Sequence, residues 1–128
     1  YLKKSQGCII SILDIHANGK PFGGYTVYNM AKAAHQMMVQ SLAIELAPDI
    51  RVNGIAPGIN ILPIEGSEQA LTAETIDKIC RAVPLKRIGT PQDIAQVAVF
   101  LAAAPYITGQ IIAVDGGRGL TLAGNESR

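Results

Sequence analysis

Tryptophan is absent from the 128 residues, cysteine occurs twice, and aromatic residues make up only 5%. The two cysteines, Cys8 and Cys80, lie far apart, without metal-ligand spacing and inside apolar segments. They read as buried free thiols that suit a reducing cytoplasm, and no metal is expected. No basic run is present and the net charge is +1, so neither nucleic acid nor a membrane surface gains support as a partner. No apolar run is long enough to span a bilayer, and the opening Tyr-Leu-Lys-Lys-Ser is not a signal peptide. A cytoplasmic protein is therefore expected. Internal repeats and low-complexity segments are also missing. So is any G-x-G-x-x-G cluster ahead of a helix, which leaves the chain without a turn whose backbone amides could cradle a pyrophosphate.

What the chain does have is a hydrophobic content of 48%, enough for one modest domain with a real core. Residues 1–6 look like the end of a helix. Cys8 to Leu13 is an isoleucine-rich run suited to a strand buried on both faces of a parallel sheet. Asn18 to Gly24, with Pro21 and paired glycines, reads as a loop. A helix is expected from about Thr26 to Leu46, ending before Pro48. Arg51 to Ala56 reads as a second parallel strand stopped by Pro57-Gly58, and Asn60 to Thr72 as an irregular connection that could serve as a substrate lid. A short helix is expected over Ala73 to Ala82. Thr90-Pro91-Gln92-Asp93 marks a capped helix start running to about Ala103, and Gln110 to Val114 a third strand. Strands alternating with helices imply a doubly wound parallel α/β sheet.

Chemistry concentrates between Asp14 and Lys32. Tyr28 and Lys32 stand one helical turn apart, which places a phenol and an ammonium on one face. That pair alone is a weak signal, since Tyr and Lys at this spacing usually line a solvated surface. Its setting is more specific. Asp14 follows the first strand, where open α/β sheets place their ligands, and Pro57-Gly58 closes the second.

This order of strand, Tyr-x-x-x-Lys helix, strand and Pro-Gly resembles the C-terminal half of the short-chain dehydrogenase/reductases. Tyr106-Ile107-Thr108-Gly109-Gln110 and Val114-Asp115-Gly116-Gly117 are similar to that family's last strand and its flanks. The resemblance implies a Rossmann-like sheet and assigns residues 1–128 to the C-terminal half of one domain whose cofactor half is absent. It further implies a catalytic role for Asp14, Tyr28 and Lys32. Tyr28, Lys32, Pro57, Gly58 and Asn60 would lie along the nicotinamide end of the cofactor, and Tyr28 and His16 would line the substrate pocket. Most of the family carries serine where this chain has Asp14; the pteridine reductases carry aspartate, and Leu62-Pro63, Val83-Pro84-Leu85 and Arg87 resemble them too. Asn60 and Arg118 depart from that subgroup's pattern.

The expectation is thus an NADPH-dependent reductase of dihydropterins such as dihydrobiopterin, or dihydrofolate, working as a homo-tetramer in the cytoplasm. An alternative is another short-chain oxidoreductase acting on a 3-oxoacyl group or an imine. A reading of another class is a non-catalytic remnant acting through subunit pairing, by the Met-rich helix or by the apolar edge of the first strand.

Overall fold

A computed structural model describes residues 2–17, 20–60 and 71–122. A one-turn helix α1 (Leu2–Ser5) leads into β1 (Cys8–Ile12), and a single 3-10 turn at Ile15–Ala17 precedes the long helix α2 (Thr26–Glu45). After β2 (Arg51–Pro57) come α3 (Ala73–Ala82), α4 (Pro91–Ala103), β3 (Ile111–Val114) and the short α5 (Arg118–Thr121). The expected elements are all present, with ends shifted by a residue or so. The lid expected at 60–72 falls mostly on 61–70, outside the described residues.

The three strands form one parallel sheet in the order β1-β2-β3. Register pairs Ile12 with Ile55 and Pro57 with Val114, so all three strands end along the same edge. Strand periodicity divides the faces of β2. Val52 and Ala56 join the core cluster with Leu13, Ile15, Val39, Ala43 and Ile50, the side covered by α2. Arg51 points to the other side, where its guanidinium donates to the carbonyls of Leu101 (2.7 Å) and Ala102 (2.8 Å). These are the last carbonyls of α4, which a helix cannot satisfy internally. Helices therefore cover both faces, as a doubly wound sheet requires. β1 is an edge strand, and Ile12 at its end is 49% exposed.

The N-terminus of α4 is closed as its sequence announces. Thr90 accepts from the Asp93 backbone and Asp93 from the Thr90 backbone at 2.7 Å, a reciprocal capping box behind Pro91. Arg87 grips the same carboxylate through two bonds of 2.8 and 2.9 Å. That guanidinium first, and Thr90 second, hold the Asp93 carboxyl well below the usual carboxylate range. Cys8 and Cys80 are free but half-buried rather than buried. Among the described residues no helix is long and apolar enough to cross a membrane.

The ends of β2 and β3 come so close at Gly58 that an added Cβ would lie 2.7 Å from the Asp115 Cβ and 2.8 Å from its Cα. Backbone cannot yield as a flexible side chain can. Gly58→Ala is therefore expected to cost about 1–3 kcal/mol of stability. Urea unfolding should show a lower midpoint at unchanged slope; an unshifted midpoint would mean that the two strand ends separate freely.

Candidate active site

The ladder of β1 continues one residue past its end, with the Leu13 N–H donating to the Ile55 carbonyl at 2.7 Å. Leu13 is buried, and its own carbonyl accepts from the Lys32 ammonium at 3.3 Å. The next residue, Asp14, turns its carboxylate into the space beyond the sheet. One oxygen accepts the His16 N–H at 2.7 Å, closing an Asx turn that starts the 3-10 turn. The other oxygen lies 2.7 Å from the Tyr28 hydroxyl, which donates to it. Lys32, one turn along α2, holds its ammonium 5.7 Å from the centre of the Tyr28 ring. The structure thus brings Asp14, Tyr28 and Lys32 together.

His16 is fixed by its own turn. Its Nδ1 lies 2.8 Å from the Lys20 carbonyl. A carbonyl only accepts, so Nδ1 carries a hydrogen. The ring stacks on Phe22 (centroids 4.9 Å apart), Phe22 stacks on Tyr25 (4.6 Å), and Tyr25 meets Tyr28 edge-on (6.5 Å). Asn29 holds this ladder against α2, for its side chain both donates to the Phe22 carbonyl (2.9 Å) and accepts from the Phe22 N–H (3.2 Å). The aromatic wall, Asp14, Pro57-Gly58 and Arg118 line a cleft of about 310 Å³.

Pro57 and Gly58 also border a second cleft of about 370 Å³, with Ile12, Asn60, Pro91 and Ile94 on its walls. Asn60 is 7% exposed and its Oδ1 is buried without a partner, while it lines this second space rather than the one holding Tyr28. The same residue also reaches a larger cleft of about 420 Å³ whose charged members are Arg87 and Asp93, paired at the start of α4, and Asp115, bonded to the Gly117 and Gly119 N–H groups. No group of three or more potential metal ligands occurs among the described residues.

Sequence reasoning missed Phe22 and Tyr25. Tyr25 carried a signal, three residues ahead of Tyr28 and hence on its face. Phe22 carried none, because only the Asn29 clamp brings its loop into place. Arg118 stood out in the sequence as a departure from a pattern, without a place in the site.

Tyr28 has its pKa pushed up to about 12, by burial first and then by the hydrogen bond to Asp14 and its charge. At neutral pH the phenol is firmly protonated, the state required of a proton donor.

Residues 1–118 match the family model described as enoyl-(acyl carrier protein) reductase. The chain is 38% identical over 118 residues to the 7alpha-hydroxysteroid dehydrogenase of Escherichia coli K12, covering 90% of this chain and 45% of that protein. Against pteridine reductase 1 of Leishmania tarentolae it is 39% identical over 119 residues, 90% of this chain and 39% of the relative. A solved apo SCOR enzyme from Clostridium thermocellum superposes with a TM-score of 0.81 at 32% identity, covering 98% of this chain and 47% of that one. The chain belongs to the short-chain dehydrogenase/reductase superfamily and has its Rossmann-like fold. It spans about half the length of the relatives it matches.

Replacing Asp14 removes two of the three causes that raise the Tyr28 pKa and leaves burial. In Asp14→Ala, titration of ¹³C-labelled tyrosine by NMR should therefore place Tyr28 below the parent's value of about 12 but above the ordinary 10.0. An unmoved midpoint would show that the two side chains do not interact in solution.

Proposed function

We propose that this chain carries the catalytic residues of a reductase that moves a hydride from NADPH to a dihydropterin, with Tyr28 donating the proton. The observation that carries this reading is the 2.7 Å hydrogen bond between the Tyr28 hydroxyl and the Asp14 carboxylate. Reducing a C=N bond puts a hydride on carbon and a proton on nitrogen, so a positioned acid must stand beside the nitrogen. An ionised Asp14 would hold the Tyr28 proton for itself and oppose its departure. A protonated Asp14 instead donates to the Tyr28 oxygen and frees the phenol's hydrogen for substrate. Asp14 is thus the relay and Tyr28 the donor, while the Lys32 cation stabilises the phenolate until the proton is replaced. The likeness to pteridine reductase 1 supports the substrate class.

The residues present fit the nicotinamide end of the cofactor. Among the described residues Lys32 makes one hydrogen bond, to Leu13, which leaves two N–H donors for ribose hydroxyls, and Asn60 offers a buried, unpartnered oxygen beside Pro57-Gly58. Members of the family generally use NAD(P)H; bound between Lys32 and Pro57, Gly58 and Asn60, the nicotinamide would supply the hydride. The glycine-rich pyrophosphate turn would come from a cofactor half outside these 128 residues, which makes this chain the C-terminal half of one domain.

The exposed apolar residues Val27, Met30, Met37 and Ile44 recur along α2 at three- and seven-residue intervals, a seam suited to a second copy of the helix. A homo-tetramer built through it is part of the proposal. The free thiols of Cys8 and Cys80 favour the cytoplasm as its compartment.

A carbonyl substrate is the second reading, favoured by the 38% identity to a hydroxysteroid dehydrogenase. The full-length protein separates the two when NADPH consumption is followed with dihydrobiopterin and with an acetoacetyl thioester. Faster turnover of the thioester would favour the carbonyl reading. For a dihydropterin reductase, Asp14→Ser should lower kcat/KM on dihydrobiopterin about 100-fold and erase the fall in rate that Asp14 ionisation causes as pH rises. An unchanged fall with rising pH would remove Asp14 from the proton path.

A further inference from the structure

Arg118 lines the same cleft as Asp14, His16, Phe22, Tyr25 and Tyr28, yet the proton chemistry above makes no use of it. Its backbone is unusually well fixed for a residue so near the end of the described chain. The Asp115 carboxylate accepts from the N–H groups of Gly117 (2.9 Å) and Gly119 (2.6 Å), and the Asp115 carbonyl accepts the Arg118 N–H at 3.1 Å. Gly116 and Gly117 both sit at positive φ, +61 and +86, and side chains there would meet Val83 and Pro84 at 2.7 and 2.9 Å. On the far side, the Lys20 ammonium donates to the Gly119 carbonyl and ties this turn to the loop that carries the aromatic ladder. These bonds fix the turn that places Arg118 on the wall of the cleft.

The Arg118 guanidinium donates to the Thr121 hydroxyl at 3.3 Å and, among the described residues, meets no carboxylate within ion-pair distance. A guanidinium has five N–H donors and never loses its charge, so one neutral hydroxyl leaves most of its capacity unused. Asp14, in the same cleft, bonds the His16 N–H and the Tyr28 hydroxyl and forms no ion pair with Arg118. The same cleft is lined by three stacked rings, His16, Phe22 and Tyr25, whose edges and outer faces suit contact with an aromatic ring.

We infer that Arg118 is a specificity-determining residue: the cleft takes a planar ring carrying a carboxylate substituent, the ring against His16, Phe22 and Tyr25 and the carboxylate on the Arg118 guanidinium. The inference rests on the proposed function only for which cleft receives the substrate; the anion preference belongs to the cleft itself. Carboxylate fits the planar fork of arginine with two parallel hydrogen bonds, which a lysine at the same place cannot match.

The test uses the full-length protein and a pair of probes that no reductase step consumes, naphthalene carboxylate and its neutral carboxamide, with affinities measured by calorimetry. The carboxylate should bind about tenfold more tightly or better. Arg118→Met should abolish that preference while leaving the carboxamide affinity unchanged, and Arg118→Lys should restore part of it. Equal binding of both probes by the parent, binding of neither, or an equal loss of both in Arg118→Met would overturn the inference, the last by showing that Arg118 merely holds the turn together. The dihydropterin reading stands or falls separately: dihydrobiopterin, which lacks a carboxylate, is reduced or it is not.

Discussion

Everything in this molecule hangs from β2, a strand with a neighbour on each edge and a helix over each face. Val52, Asn53 and Ile55 have no exposed surface at all. A strand so placed must satisfy every backbone group and tolerate a polar side chain only if that side chain is fully paired. Asn53 meets the condition. It donates to the Ile107 carbonyl at 2.8 Å and accepts the Gln110 N–H at 3.0 Å, while Thr108 and Gly109 bond the Val52 N–H and carbonyl at 3.0 and 2.7 Å. The Ile107–Gln110 segment is thereby clasped to β2 and feeds β3 into register. Losing that clasp would leave a buried amide unpaired and β3 without an anchor.

Parallel register then decides where chemistry can be done. Because β1, β2 and β3 run the same way and end together, the residues following each emerge at one edge: Asp14 after β1, Pro57-Gly58 after β2, Asp115 to Arg118 after β3. Helix α2 completes the arrangement through its period. Tyr28, Lys32, Val39 and Ala43 follow one another at four, seven and four residues, so they share a face. Val39 and Ala43 are buried in the core against β2 and fix the roll of the helix. The same stripe, where it runs toward the strand ends, has no sheet beneath it and presents Tyr28 and Lys32 instead. Packing at one end of the helix thus aims the functional groups at the other.

This division explains what could be read from the sequence and what could not. Period and punctuation reveal β1, α2, β2, α4 and β3, since Pro48, Pro57-Gly58 and the Thr90-Pro91 cap are local signals with local consequences. Asp14, Tyr28 and Lys32 were legible because a strand end and a helical turn place them without further information. The aromatic ladder was not, because it depends on Asn29 reaching back to Phe22, a contact between residues that no periodicity links. Nor was the burial of Asn60, whose short turn alone would suggest a solvated side chain. The partial exposure of Cys8 follows from its place on an edge strand, which an apolar run does not disclose.

The pairing of Asp14 with Tyr28 sets a constraint on any reaction performed here. Two oxygens 2.7 Å apart share one hydrogen when the carboxyl is ionised and two when it is protonated. In the first state burial and the adjacent negative charge both keep the phenol protonated, and its hydrogen is committed to Asp14. In the second, the carboxyl donates to the phenol and the phenol's hydrogen becomes available. The nearby Lys32 ammonium is present in both states, so it lowers the cost of a phenolate without selecting between them. In the proposed reaction, control over proton delivery would belong to the aspartate rather than to the tyrosine. A serine at the same position could orient a carbonyl but could neither store this proton nor withhold it, so the change from hydroxyl to carboxyl alters what the site can do as well as what it can bind.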